Sequence, residues 1–421
     1  MKLLTYFVVY YCLFSFKIDF LPLADSSVRI DDFLLVVFIL VFLITEPRIC
    51  FPKPLRTLAY FFLVSILSII FNISRSGINP IEALLFSIRH IEYAVFFYVG
   101  LLLYKYNFNW GRFLGLYLFF SLFVGFLIYY QIIPNPSRFH YDRISANTTG
   151  PFEFALLMSF IFYYFLERGK VFHYYLALSG LLLTLSRITI ISVCFVLPFI
   201  NKNNENDLGM KRLFATLLVV GFLLIIYTFG DAWSFVNRFS NLFTQENLAS
   251  LTRQIQGFVT VENQRDYFDL VYNDSVNTLI SNQSGDTSML IRFNKWVVLL
   301  VSTFSISPFL GMGPSFASVG VDGYFIRVFA ETGIVGLLLY LKLIFDLFSF
   351  AKTTDSNLLT RYLVTLVLTA IFIDIFVAFK PMMLLWLGYG YFYALLKDSH
   401  SELNISNSNN SHYAPRISKF R

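Results

Sequence analysis

ALLFSIRHIEYAVFFYVGLLLYKYNFNWGRFLGLYLFFSLFVGFLIYYQI, residues 83–132, holds two long apolar runs, 83–103 and 114–132, joined by a short connection that carries Lys105 and Arg112. An α-helix needs about 20 apolar residues to cross the hydrocarbon core of a bilayer. The runs are continuous and do not alternate, which disfavours a transmembrane β-barrel. Working outward, further runs fall at 3–16, 33–45, 57–71, 152–166, 171–185, 188–200, 213–229, 324–349, 362–379 and 382–396. Several are short and must extend into their flanks. The pattern predicts an all-α polytopic integral membrane protein with about 12 transmembrane helices. Composition agrees: 57% of the residues are hydrophobic, 14% are charged, and the mean hydropathy is +0.65. A soluble domain carries roughly 25% charged residues, so a soluble enzyme is excluded. Lys2 and the first apolar run resemble a signal peptide, but no small-residue cleavage site follows, so the run reads as a retained helix.

Orientation follows from Lys and Arg, which concentrate in cytoplasmic connections. With the N-terminus inside, the cytoplasmic connections are 46–56 (Arg48, Lys53, Arg56), 104–113 (Lys105, Arg112), 167–170 (Arg168, Lys170), 201–212 (Lys202, Lys211, Arg212) and 350–361 (Lys352, Arg361). Of 13 lysines, only Lys17, Lys295 and Lys380 then lie outside. The chain divides into a nine-span bundle over 1–230, one large outer loop over 231–322, three spans over 323–397 and a Ser/Asn-rich, disordered cytoplasmic tail over 398–421. Within the loop, 289–305 is amphipathic at its start and apolar later. A full crossing there would put Lys352 and Arg361 outside, so it reads as an interfacial or re-entrant helix. Cys12, Cys50 and Cys194 lie in or beside apolar runs. No disulfide therefore staples the loop, and no Cys/His zinc spacing exists. Asp31-Asp32 reads as a cap to the second span and not as a metal pair.

The outer side differs in kind. Residues 231–292 contain no Lys but do contain Arg238, Arg253, Arg265 and Arg292, and Arg143 and Arg187 lie at outer helix ends. The planar, permanently charged guanidinium suits phosphate, so this face is expected to meet an anionic ligand; snorkelling at the interface is the bland reading of any single Arg. Arg187 sits between two apolar runs with no long loop around it, where it is either a capping residue or a fixed cation. Arg292 and Trp296, four apart, share a helix face. Gly311-Met-Gly313-Pro314 is a turn, and no strand precedes it, so it is not a nucleotide fingerprint. Asp322 opens the next helix, as an ordinary N-cap or as a general base. Arg327 and Glu331, four apart, suit an ion pair or a cavity lining. Gly333 and Gly336 offer a smooth face for helix packing. Asp374 falls in the following span, and Glu153 opens an earlier one.

Together, Thr184-Leu-Ser186-Arg187, Arg292 with Trp296, Gly311 and Gly313, Asp322-Gly-Tyr and Glu331-Thr-Gly333-Ile-Val-Gly336 resemble the bacterial O-antigen polymerases (Wzy type) and O-antigen ligases, over roughly 143–340. Ligases usually carry His-Asn where this chain has Asp322-Gly323, which favours polymerase. The resemblance implies a GT-C-like glycosyltransferase of the bacterial inner membrane with its site facing the periplasm. Undecaprenyl-diphosphate-linked oligosaccharides would be both donor and acceptor. Arg187 and Arg292 would hold the leaving diphosphate and Asp322 would be the base. Arg143, Arg327, Trp296 and Glu331 would contact substrate, and Tyr267, Tyr272 and Trp296 would stack on sugars. The donor is already activated, so no cofactor or metal need be invoked. A chain-length regulator and membrane lipid are further expected partners, and nucleic acid is not. Two other activities fit less well: ligase transfer to lipid A-core, and a lipid-oligosaccharide flippase, which needs a polar pathway but no long outer loop.

Overall fold

A computed structural model describes residues 1–16, 19–21, 28–46, 50–133, 143–199, 288–317, 321–354 and 356–408, together with 249, 252–253, 256–257, 260 and 264–266. The helices are α1 (Lys2–Phe14), α2 (Ile30–Thr45), α3 (Lys53–Asn72), α4 (Pro80–Lys105), α5 (Trp110–Tyr129), α6 (Pro151–Glu167), α7 (Val171–Leu183), α8 (Arg187–Phe199), α9 (Ser288–Ile306), α10 (Tyr324–Thr353), α11 (Leu358–Ala370) and α12 (Phe379–Ser408). The only strands among the described residues are a short antiparallel pair, Asp19–Leu21 with Val28–Arg29. By length and composition, α3, α4, α5 and α10 can each cross a membrane, and five shorter apolar helices accompany them. The protein is membrane-embedded.

Local chemistry starts these helices where the apolar runs begin. Proline occupies the first turn of α3, α4 and α6, where its missing N–H costs nothing. Asn79 Oδ1 accepts from Ile81 N at 3.0 Å, and Asn109 Oδ1 accepts from Arg112 N at 3.0 Å, capping α4 and α5. Asp32 accepts from Arg29 N at 2.8 Å, the cap expected for α2. α4 and α12 cross with their backbones nearly touching. A Cβ at Gly100 would lie 2.3 Å from the Leu387 carbonyl oxygen, and one at Gly390 would lie 2.0 Å from that of Phe97. Between membrane helices, small residues permit this approach and so increase van der Waals contact.

Four readings from sequence change. The run 362–379 is not one helix: α11 ends at Ala370 and a single 3-10 turn covers Ile375–Val377. Asp374 therefore lies in a connection and not within a span; hydropathy sees only that the whole stretch is apolar. The face expected at Gly333 and Gly336 is a break in α10, because Gly333 has φ 67° and ψ −168°. The last helix runs on to Ser408, so the first part of the tail expected to be disordered is helical. Asp322 does not cap α10; that position is Gly323. The span expected at 213–229 and most of the loop 231–287 lie outside the described residues.

The break in α10 is filled by the segment that returns from α9. Ile334 N donates to Pro308 O at 2.9 Å, while Met312 N and Gly313 N donate to Ala330 O and Glu331 O at 2.7 and 3.0 Å. From α3, Ser68 Oγ donates to Leu310 O at 2.5 Å and Asn72 Nδ2 donates to Gly311 O at 2.8 Å. Backbone groups freed by the break thus find partners inside the protein, as irregular chain at membrane depth requires. Val298, Leu299, Met312, Phe316 and Val321 bury against Ile69, Ile78 and Ala83 and fix the segment's apolar side.

Candidate functional site

α9 begins and its return segment ends beside the N-terminus of α10. Arg292 Nε donates to Asp322 Oδ2 at 2.8 Å, with the two side chains 25% and 35% exposed. Among the described residues this is Arg292's one polar contact, and it uses Nε and not the Nη groups. One helical turn on, Trp296 Nε1 donates to Val321 O at 2.8 Å, which ties α9 to the peptide before Asp322. The Trp296 ring covers Gly323, where a Cβ would lie 2.7 Å from Nε1. Asp322 itself has φ 51°, a conformation uncommon outside glycine.

Behind this turn lies a buried charge relay. Asp374 Oδ1 accepts from Gly323 N at 3.3 Å, and its Oδ2 accepts from Arg327 Nη1 at 3.0 Å. Arg327 Nε donates to Glu331 Oε1 at 3.1 Å, and its guanidinium sits 4.3 Å from the centre of the Phe86 ring. Glu331 O receives Gly313 N, so the relay ends at the break in α10. The ion pair expected of Arg327 and Glu331 is present and buried. The Tyr324 hydroxyl lies 2.6 Å from His90 Nε2. On α4, Glu82 meets Arg265 of the large loop, Nη1 to Oε2, at 3.2 Å.

A second polar group lies around residues 143–153. Ile144 N donates to Leu183 O at 3.4 Å, setting the segment beside the turn that leads into α8. Asn147 Nδ2 donates to Leu13 O at 2.8 Å, and its Oδ1 accepts from Tyr117 Oη at 3.0 Å. The Lys380 ammonium is caged by carbonyl oxygens of Leu13, Ser15 and Asn147 at 2.9, 2.8 and 2.7 Å. Glu153 accepts from Thr149 N and Oγ1 at 2.9 and 2.6 Å. Arg143 starts this segment. Arg187 opens α8 after Leu185, whose φ is 51°.

The structure thus brings Arg292, Asp322 and Trp296 into one cluster and joins Arg327 and Glu331 to it through Asp374. Among the described residues, Arg187 makes no hydrogen bond or ion pair, and no contact joins it or Arg143 to the Arg292–Asp322 pair. Tyr267 and Tyr272 lie outside the described residues, as does Arg238. Asp374, His90 and Lys380 were not legible as members of these clusters. The available signal was an ionisable residue inside an apolar run, which in a membrane protein faces the interior or a partner. No protein-family model matches the chain, and no curated protein is a significant match.

Chemically, the arrangement joins a guanidinium to a carboxylate through one contact that, among the described residues, leaves the Arg292 Nη groups and the second Asp322 oxygen without a hydrogen bond. Both are partly open and set against a largely buried wall in which one guanidinium, Arg327, faces two carboxylates. Such a pair can bind an anion on one side and accept a proton on the other.

Proposed function

We propose that this protein is a polytopic glycosyltransferase of the bacterial inner membrane, with about 12 spans and a GT-C-like arrangement, that polymerises undecaprenyl-diphosphate-linked oligosaccharide units at the periplasmic face. The observation that carries this reading is the 2.8 Å Arg292–Asp322 pair at the mouth of the α9–α10 junction. In the reaction, an acceptor sugar hydroxyl attacks the anomeric carbon of the donor glycan. The bond from that carbon to the diphosphate oxygen breaks, and its electron pair leaves on the diphosphate. The hydroxyl proton passes to Asp322. Arg292 donates its Nη groups to the departing diphosphate, where charge grows in the transition state and fixed donors act most strongly. Arg187 serves on the same face as a further cation for the lipid-linked phosphate, and Arg143 and Trp296 contact the glycan.

The segment 288–322 supports a re-entrant reading. Both its ends meet the start of α10, while its middle reaches the break at Gly333. Gly333 lies nine positions beyond Tyr324, about 14 Å of helix at 1.5 Å per residue. That is under half of a bilayer core of about 30 Å. The ligase alternative gains nothing from His90, which is buried among Phe61, Phe86 and Tyr340 and faces the Tyr324 hydroxyl and not the opening.

The test is complementation of a strain lacking this gene, with lipopolysaccharide resolved on gels. Arg292→Lys and Asp322→Asn are each expected to lower transfer by about 100-fold, leaving core capped with a single repeat unit at matched protein levels. Bare core with polymer stranded on the carrier lipid would identify a ligase instead. A normal ladder from both variants would refute the site.

A further inference from the structure

We propose that Asp374 is a positioning residue for the Arg292–Asp322 pair, acting through the turn that carries Asp322; its kinetic readout rests on the polymerase reading above. Asp322 adopts a positive φ, 51°, a conformation that Asp tolerates better than most residues but still holds at a cost that its surroundings must offset. Two contacts do so. Trp296 grips the peptide before Asp322 through Val321 O, and Asp374 Oδ1 grips the peptide after it through Gly323 N. Asp374 can serve as a fixed point because its other oxygen is held by Arg327, which is itself buried and held by Glu331.

Charge count separates this role from simple neutralisation. One guanidinium, Arg327, faces two carboxylates, Glu331 and Asp374. Glu331 alone would balance it. Asp374, whose side chain is only 12% exposed, is a second carboxylate at a guanidinium already paired, and its partial desolvation is a cost that the ion pair need not repay. Its remaining oxygen on Gly323 N supplies the reason for its placement. Asp374 touches no reacting atom; it sets the angle at which the Asp322 carboxylate meets Arg292 and the acceptor hydroxyl.

The full-length protein, reconstituted in liposomes, is supplied with the lipid-linked units extracted from a strain lacking this gene. Asp374→Asn replaces one acceptor oxygen by an amide donor; the remaining oxygen stays with Arg327, the charged and stronger donor, so the contact with Gly323 N is the one lost. The variant is expected to lower kcat by about ten-fold with KM within about two-fold, and to add nothing to the loss already caused by Asp322→Asn. Amide hydrogen exchange gives a readout independent of activity. The peptide spanning residues 321–325 is expected to exchange about ten-fold faster in Asp374→Asn but at the wild-type rate in Glu331→Gln, which disturbs Arg327 without touching Gly323. Unchanged exchange in Asp374→Asn, equal acceleration in both variants, or a loss additive with Asp322→Asn would each overturn the proposal. If Asp374→Asn does not fold, Asp374→Glu is measured by the same criteria, since it keeps the charge for Arg327 but displaces the carboxylate by one methylene. A wild-type protein that forms no polymer while the exchange contrast persists would refute the polymerase reading and leave the positioning role standing.

Discussion

Arg327 is the residue on which the site's wall depends. Its guanidinium is buried, bonded to Glu331 and Asp374 and placed over Phe86. Removing the cation and removing one anion are therefore unequal changes. Arg327→Met strands the buried Glu331 carboxylate and the part-buried Asp374 carboxylate and is expected to destabilise by about 3–5 kcal/mol. Glu331→Gln leaves Arg327 paired with Asp374 and is expected to cost about 1 kcal/mol. Thermal unfolding of the detergent-solubilised protein separates these cases, and equal losses would show that Arg327 does not hold both carboxylates in place. Residue identity carried part of this into the sequence. The i, i+4 spacing of Arg327 and Glu331 foretold their pairing, because one helix fixes both. Asp374 was opaque, because its partner lies 47 residues away and its local sequence reads as uninterrupted span. Arg292 and Asp322 were named for separate chemical roles; that they meet depends on how α9 folds back, which no local pattern encodes.

At the scale of elements, the apolar runs located most helices to within a few residues, because burial in lipid is a composition effect that hydropathy measures directly. The failures lie where a helix stops inside apolar sequence. α10 breaks at Gly333, between the β-branched Thr332 and Ile334, which are middling helix formers, and the returning chain supplies replacement hydrogen bonds from Pro308 to Gly313. Gly333 answers two demands at once: positive φ, and a backbone approach so close that a Cβ would lie 2.2 Å from the Phe309 carbonyl oxygen. Gly169 offers a control, with φ 62° and nothing within 4 Å of its would-be Cβ. Gly169→Ala is expected to cost about 1–2 kcal/mol, the left-handed penalty alone. Gly333→Ala must also displace backbone, and is expected to lose more than about 4 kcal/mol, the range seen only for overpacking or broken networks. Fluorescence-detected size-exclusion after a heating series checks the difference. Comparable melting of the two variants would mean that the 308–313 segment yields easily and does not hold the break.

For the whole molecule, the decisive quantity is which ends of the helices share a side. The contacts agree among themselves: the end of α1 meets the start of α12 through Lys380, the end of α7 meets Ile144, and the start of α10 meets the connection after α11 through Asp374. Arg168 and Lys170 lie at the opposite ends of α6 and α7, with Lys105 at the far end of α4. The lysine-poor ends therefore gather the Arg292–Asp322 pair, the Asn147–Lys380 group and Arg187, while the lysine-rich ends gather elsewhere. On the reading proposed above, the positive-inside rule turns the latter toward the cytoplasm. This assigns a side to two exposed positions, Ile132 just past α5 and Lys170 just before α7. In a variant lacking Cys12, Cys50 and Cys194, Ile132→Cys is expected to react with a membrane-impermeant maleimide in cells whose inner membrane is intact. Lys170→Cys is expected to react only after that membrane is breached. The reverse pattern would turn the Arg292–Asp322 pair toward the cytoplasm. A periplasmic glycan could not reach it there, so the labelling result constrains the chemistry as firmly as any substitution within the site.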